Sequence, residues 1–177
     1  EFKITAISGI NAFYHDIDVG DINGDGLEDI LAINMGFDEG ADPYPLHIFY
    51  QEQDGSFSQQ LGFMSFTDDL PTLKEAAGAL VDLNGDGSLE IIQTAYTVAV
   101  GGFFNFDMDI FFRVFGQDAQ GDYSLQFSAP RSGKASQMGS SNVYEADLDL
   151  DGDLDLLFYM EGYDAISDIS GTAENYK

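Results

Sequence analysis

Three acidic stretches share one pattern of residue types: "DINGDGLED" from Asp21 to Asp29, "DLNGDGSLE" from Asp82 to Glu90, and "DLDLDGDLD" from Asp147 to Asp155. The first position is Asp21, Asp82 or Asp147, and the third is Asn23, Asn84 or Asp149. The fifth is Asp25, Asp86 or Asp151, the sixth is Gly26, Gly87 or Gly152, and the ninth is Asp29, Glu90 or Asp155. Carboxylates packed this closely repel one another. Short oxygen-bearing side chains at alternate positions of a curled loop converge on one point, and glycine supplies the positive φ that lets the loop curl. Hard oxygens so arranged suit calcium, which accepts about 6–8 oxygen ligands at about 2.3–2.6 Å. The cation removes the repulsion, so the loops predict about three calcium ions, one per loop.

An EF-hand would need a bidentate Glu at position twelve and a helix on each side. Position twelve here is Ala32, Gln93 or Phe158, and strand-type residues follow each loop at once. Ligation therefore closes at position nine. Solvated Asx-rich turns could produce one such stretch by chance, but not three at near-equal spacing with the same glycine.

The elements that must hold these loops follow from the spacing. Asp82 lies 61 residues after Asp21 (82 − 21), and Asp147 lies 65 after Asp82 (147 − 82). After the loops come "ILAINMG", "IIQTAYTVAV" and "LLFYM", which are β-branched or aromatic and too short for helices, so strands are predicted. Between the loops, "HIFYQEQDGSFSQ" (His47 to Gln59) and "FFRVFGQDAQGDYSLQF" (Phe111 to Phe127) each read as a hairpin with an Asp- and Gly-bearing turn. "DDLPTLKEAAG" (Asp68 to Gly78) reads as a loop or a short helical turn. "VGGFFNFDMDIFF" (Val100 to Phe112) reads as a hairpin around Gly101-Gly102, and "RSGKASQMGSSN" (Arg131 to Asn142) as a polar loop. The whole is a single all-β array of three units of about four strands, with approximate boundaries 1–62, 63–129 and 130–177, the last incomplete.

Composition bounds the partners. The chain has 177 residues, 44% of them hydrophobic with 15 Phe and 9 Tyr, enough for a core and unlike a disordered acidic tail. Six Lys and Arg against 32 Asp and Glu give a formal charge of −26. Nucleic-acid backbones and anionic membranes would be repelled, so neither is an expected partner. Multivalent cations and basic partners are favoured. There is no cysteine to form a disulfide, and no apolar run approaches membrane-helix length, so no direct membrane insertion is expected. No signal peptide is read at the start, which suits a mature or excised segment.

"VGDINGDGLEDILAI" and "ALVDLNGDGSLEIIQTA" resemble the FG-GAP/VCBS repeats of integrin-α-like β-propellers, and the resemblance extends in three copies over nearly the whole chain. It implies blades of about four antiparallel strands, each with a calcium ion in the loop between two of them. The implied side-chain ligands are Asp21, Asn23, Asp25 and Asp29; Asp82, Asn84, Asp86 and Glu90; and Asp147, Asp149, Asp151 and Asp155. A backbone carbonyl at position seven would come from Leu27, Ser88 or Asp153. Glu90 is one methylene longer than the usual Asp, and Asp149 adds charge where Asn is common. A calcium site absent from the unfolded chain adds to folding stability, so a structural role is expected. A propeller closes with about 4–8 blades, so three units imply a segment of a larger propeller or association with further blades or copies.

The resemblance and the calcium chemistry imply a secreted or cell-surface protein that recognises carbohydrate or an extracellular protein. The alternative is part of a calcium-dependent polysaccharide lyase built on a propeller. Its catalytic candidates are sparse: His15 and His47 read as ordinary strand or loop histidines, and Arg113, Arg131 and Lys134 as solvated cations. No nucleophile-elbow, zinc-helix or phosphate-loop motif occurs. Phe13, Tyr14, Phe103 and Phe104 could meet a ligand or belong to the core.

Overall fold

The computed structural model describes residues 7, 12–34, 46–60, 73–97, 108–135, 141–152 and 154–160. Among them there are ten strands and no helix, and so no helix long and apolar enough to cross a membrane. The first sheet pairs β1 (Tyr14–Gly20), β2 (Asp29–Asn34), β3 (Leu46–Gln51) and β4 (Phe57–Gln60) in sequence order. The second pairs β5 (Leu73–Val81), β6 (Glu90–Thr97), β7 (Met108–Gln117) and β8 (Tyr123–Ala135) in the same way. The third holds β9 (Ser141–Ala146) and β10 (Asp155–Met160). Every pairing is antiparallel. The architecture is all-β, in sheets of four, four and two strands, as a partial propeller requires.

The repeat extends to fine detail. Each acidic loop joins the first and second strands of its sheet. The β1–β2 ladder is bulged between Tyr14 and Asp16, and the β5–β6 ladder between Glu75 and Ala77, 61 residues later. The β3–β4 and β7–β8 hairpins turn alike: Gly55 N donates to Glu52 O at 2.7 Å, and Gly121 N to Asp118 O at 2.9 Å. Both glycines have positive φ, 78° and 85°, which this bulged turn demands.

Sheets stack through alternating strand faces. Leu31, Ile33, Leu46 and Ile48 of the first sheet pack with Leu80, Ile91 and Phe115 of the second. The opposite face of the second sheet, with Ala79, Val81, Ile92 and Val114, packs against Val143 and Leu156 of the third. The first strands lie beside one another: Asp16 Oδ2 accepts Gly78 N at 3.2 Å and Asp18 Oδ2 accepts Leu80 N at 2.7 Å. A cavity of about 350 Å³ is lined by β1, β5 and β9, among others by Asp18, Leu80 and Tyr144.

Two expectations are corrected. Residues 73–78 form part of strand β5 rather than a helical turn or loop. The run Ala77-Gly78-Ala79 has poor strand propensity, but at Gly78 the missing side chain is what the close approach of the first sheet allows. A Cβ at Gly78 would stand 2.7 Å from Ile33 Cδ1 and 3.2 Å from the Ile92 carbonyl oxygen. The stretch 131–142 is not one loop, since β8 continues to Ala135 and β9 starts at Ser141. The hairpin read around Gly101-Gly102 lies outside the described residues, as do 68–72 and 136–140.

Candidate metal loops

The three loops are built by one set of hydrogen bonds from their own backbone. The amide of the sixth residue donates to the first carboxylate: Gly26 to Asp21 at 2.8 Å, Gly87 to Asp82 at 3.0 Å, Gly152 to Asp147 at 3.1 Å. The fifth amide donates to the third side chain: Asp25 to Asn23 at 2.9 Å, Asp86 to Asn84 at 2.8 Å, Asp151 to Asp149 at 3.2 Å. The seventh amide donates to the fifth side chain in the first two loops, Leu27 to Asp25 and Ser88 to Asp86. Each of these bonds curls the chain around the carboxylates. Gly26, Gly87 and Gly152 have φ of 85°, 90° and 97°, so the sequence expectation for the sixth position holds.

Position nine has a second task. Asp29 is fully buried, and its Oδ2 accepts the amides of Ile22 and Asn23 while Oδ1 accepts that of Gln51 on β3. Glu90 reaches Leu83 N with Oε2 at 2.8 Å, and its extra methylene lets Oε1 accept Asn84 Nδ2 at 3.2 Å. Asp155 Oδ2 accepts Leu148 N at 2.9 Å. The carboxylate that closes the loop is thus also the clamp on its second residue. Residue types and spacing alone did not reveal this role, although the apolar second position (Ile22, Leu83, Leu148) carries a trace of it.

The third loop departs from the others. Its fourth residue is Leu150 at φ 64°, where the first two loops have Gly24 and Gly85 at 76° and 72°. In those loops the fifth amide also donates to Oδ1 of the first carboxylate. Asp147 Oδ1 is instead buried with no hydrogen-bond partner. Ligand oxygens of Asp147, Asp149 and Asp151 lie within 4.8 Å of one another.

Protonation follows these environments. The Ser88 amide holds the Asp86 carboxyl below its usual range. The Asp151 amide pulls Asp149 down, but desolvation and the charges of Asp151 and Asp155 outweigh it and raise the group overall. Burial raises Glu90 against the bond from Leu83, with Asp86 and Asp82 adding to the rise.

The donor set fits a hard divalent cation. Three carboxylates gathered at Asp147, Asp149 and Asp151, with one buried oxygen lacking any bond, are what such an ion would satisfy. Asp21, Asn23 and Asp25, and likewise Asp82, Asn84 and Asp86, offer the same side-chain oxygens on the same curl. Leu27 and Ser88 occupy the seventh position; Asp153 lies outside the described residues.

Of the other singled-out residues, two among those described are buried in the sheets. His47 is fully buried on β3, its Nδ1 2.5 Å from Tyr14 OH, with the two rings edge to face. His15 sits at the β1 bulge. Arg113 is not solvated as its sequence context suggests: it is 5% exposed on β7. Its position in the second sheet, opposite Gln93, matches that of His47 in the first, opposite Ala32. Phe13 is half exposed. The side chains of Arg131 and Lys134, and all of Phe103 and Phe104, lie outside the described residues.

Three repeated sheets with acidic loops at corresponding corners define a propeller-type repeat chain. Residues 21–92 match the family model described as FG-GAP-like repeat. The match begins at the first acidic loop and ends just past the second. No curated protein matches the chain.

Proposed function

We propose that this chain is a calcium-stabilised propeller segment of a secreted or cell-surface protein, and that it serves adhesion or recognition of carbohydrate or protein. The observation that carries the calcium reading is Asp147 Oδ1, buried without a hydrogen-bond partner beside the oxygens of Asp149 and Asp151. Two further loops with the same backbone curl support one ion in each. Calcium would supply charge neutralisation and a rigid loop, while the protein's own amides pre-shape each cradle. The cysteine-free chain would gain a staple in this way. Millimolar extracellular calcium suits exposed loops of this kind.

Association with further blades is part of this reading. Leu157 and Tyr144 form a cross-strand pair on the third sheet and are 37% and 55% exposed. The residues in the corresponding places, Leu31 with Asp18 and Ile92 with Ala79, are turned to the next sheet in the first two units. The Leu157–Tyr144 face is therefore suited to receive another such sheet, from further repeats or another copy.

The test is glycan-array binding in calcium and in EDTA, with calorimetric melting under both conditions. Selective binding lost on chelation, with a fall in melting temperature, is the expected result. An unchanged melt would overturn the calcium reading, and release of unsaturated sugar from an acidic polysaccharide would replace recognition with lyase activity. Stable calcium dependence without glycan retention would direct the recognition role to a protein ligand.

A further inference from the structure

The first and second acidic loops touch through a fully satisfied relay. Gln117, the last residue of β7, donates through Nε2 to the Ile22 carbonyl at 2.8 Å and to Tyr123 OH at 2.7 Å. The Tyr123 hydroxyl donates in turn to the Leu89 carbonyl at 2.8 Å. The amide thus uses both its hydrogens, and the hydroxyl both accepts and donates. Ile22 is the second residue of the first loop, and its own amide is clamped by Asp29. Leu89 is the eighth residue of the second loop and directly precedes Glu90.

A packing contact runs parallel to the relay. Leu89 Cδ1 lies 2.7 Å from where a Cβ would stand at Gly20, the residue before Asp21. The matching places before the other loops hold Val81 and Ala146, so the opening is particular to this junction. Ile22 is buried in the core against which Leu89 and Tyr123 pack. The first sheet has Phe57 where the second has Tyr123, and phenylalanine has no hydroxyl to continue such a chain.

Resting on the calcium reading above, we infer that Gln117 and Tyr123 are positioning residues that join the first and second acidic loops into one cation-binding unit, so that an ion in either strengthens binding in the other. Filling a loop fixes the peptide groups at its ends, and the relay ties the second loop's Leu89 peptide to the first loop's Ile22 peptide. Ordering one end of the relay therefore lowers the entropy cost of ordering the other. Such coupling is reciprocal by thermodynamic necessity.

Calcium titration of the full chain, followed by amide NMR at Gly26, Gly87 and Gly152, reads each loop separately. Asp82→Asn, which weakens the second loop, is expected to weaken binding at Gly26 by about fivefold or more. In a Tyr123→Phe or Gln117→Leu background, the same substitution should leave the Gly26 curve within about twofold, and Gly152 should follow its own curve throughout. The Phe variant keeps the ring that fills the core. A Gly26 curve indifferent to Asp82→Asn, or shifted equally with and without the Tyr123 hydroxyl, overturns the coupling while leaving calcium binding intact. No response at any of the three glycines in the unsubstituted chain overturns the calcium reading, and this inference with it.

Discussion

The carboxylate of Asp29 accepts the backbone amide of Ile22 at 3.0 Å from a fully buried position. The same bond recurs as Glu90 to Leu83 and Asp155 to Leu148, so one carboxylate per loop is fixed to its second residue. Asp29 also accepts Asn23 N and Gln51 N, which ties the loop to β3. Asp29→Ala would strand these donors, and each buried orphan costs about 1–3 kcal/mol. The expected loss is about 3 kcal/mol or more, read by urea unfolding, and it should persist in EDTA. A loss confined to calcium-loaded protein would show that the hydrogen bonds contribute nothing.

Asp25 gives the opposite pattern. It is exposed, and its bonds hold only its own loop. Asp25→Ala should lower the melting temperature in calcium and leave the melt of the chelated protein nearly unchanged. At calcium one hundred times Kd, a lost site removes about 2.7 kcal/mol, or about 5–10 °C for a chain of this size. Equal losses in both conditions would refute ligation by Asp25.

Leu150 is a stability reserve. It holds φ 64° while 84% exposed, a conformation that a glycine adopts without a Cβ clash and the first two loops assign to Gly24 and Gly85. Leu150→Gly should raise stability by about 0.5–1 kcal/mol after the entropy of the added glycine is counted. Chemical unfolding in EDTA isolates the backbone term from any effect on ion binding. A loss there would mean that the Leu150 side chain makes a contact worth more than the strain.

Much of this architecture is legible in the residue order, because its signals are local. The acidic loops, the strands after them and the two Gly-turn hairpins follow from patterns within about ten residues. Strand β5 is not legible in that way, since Lys74, Glu75, Ala76, Ala77 and Gly78 lack strand propensity, and the neighbouring Ile33 explains the glycine at 78. The clamp by Asp29 and the burial of Arg113 are long-range facts of the same kind. The curl of each acidic loop could be read from spacing, whereas hydrogen bonds to Gln51 or from Gln117 required strands brought together from distant sequence.

Gly78 sets how closely the first two sheets approach. With Ile33 Cδ1 at 2.7 Å and the Ile92 oxygen at 3.2 Å from an added Cβ, Gly78→Ala must displace the isoleucine tip or part the strands. Overpacking of this size costs about 1–3 kcal/mol. Ile33→Val removes the nearer methyl, so Gly78→Ala should cost less in that background than alone. A double-mutant cycle in urea measures the difference, and strictly additive losses would mean that the Ile92 backbone, not Ile33, is the obstacle.

Asp16 makes the junction of β1 and β5 sensitive to pH. Burial raises its carboxyl above the usual range, against the opposing bond from Gly78 N. A folded-state value above the unfolded one means that the native chain keeps this proton longer. Its contribution to stability is fully present below the ordinary carboxyl value of 3.8 and is lost as pH rises through the folded value. Asp16→Asn keeps an oxygen for Gly78 N and carries no charge. The stability of the variant relative to the unsubstituted chain should therefore improve as pH rises from about 3.5 to 7, the window that spans the unfolded carboxylate range and the elevated folded one. Urea midpoints measured across that window in EDTA, where ion binding does not enter, decide the matter: a relative stability that falls with pH would show the Asp16 carboxylate to be stabilised by its bonds more than it is penalised by burial.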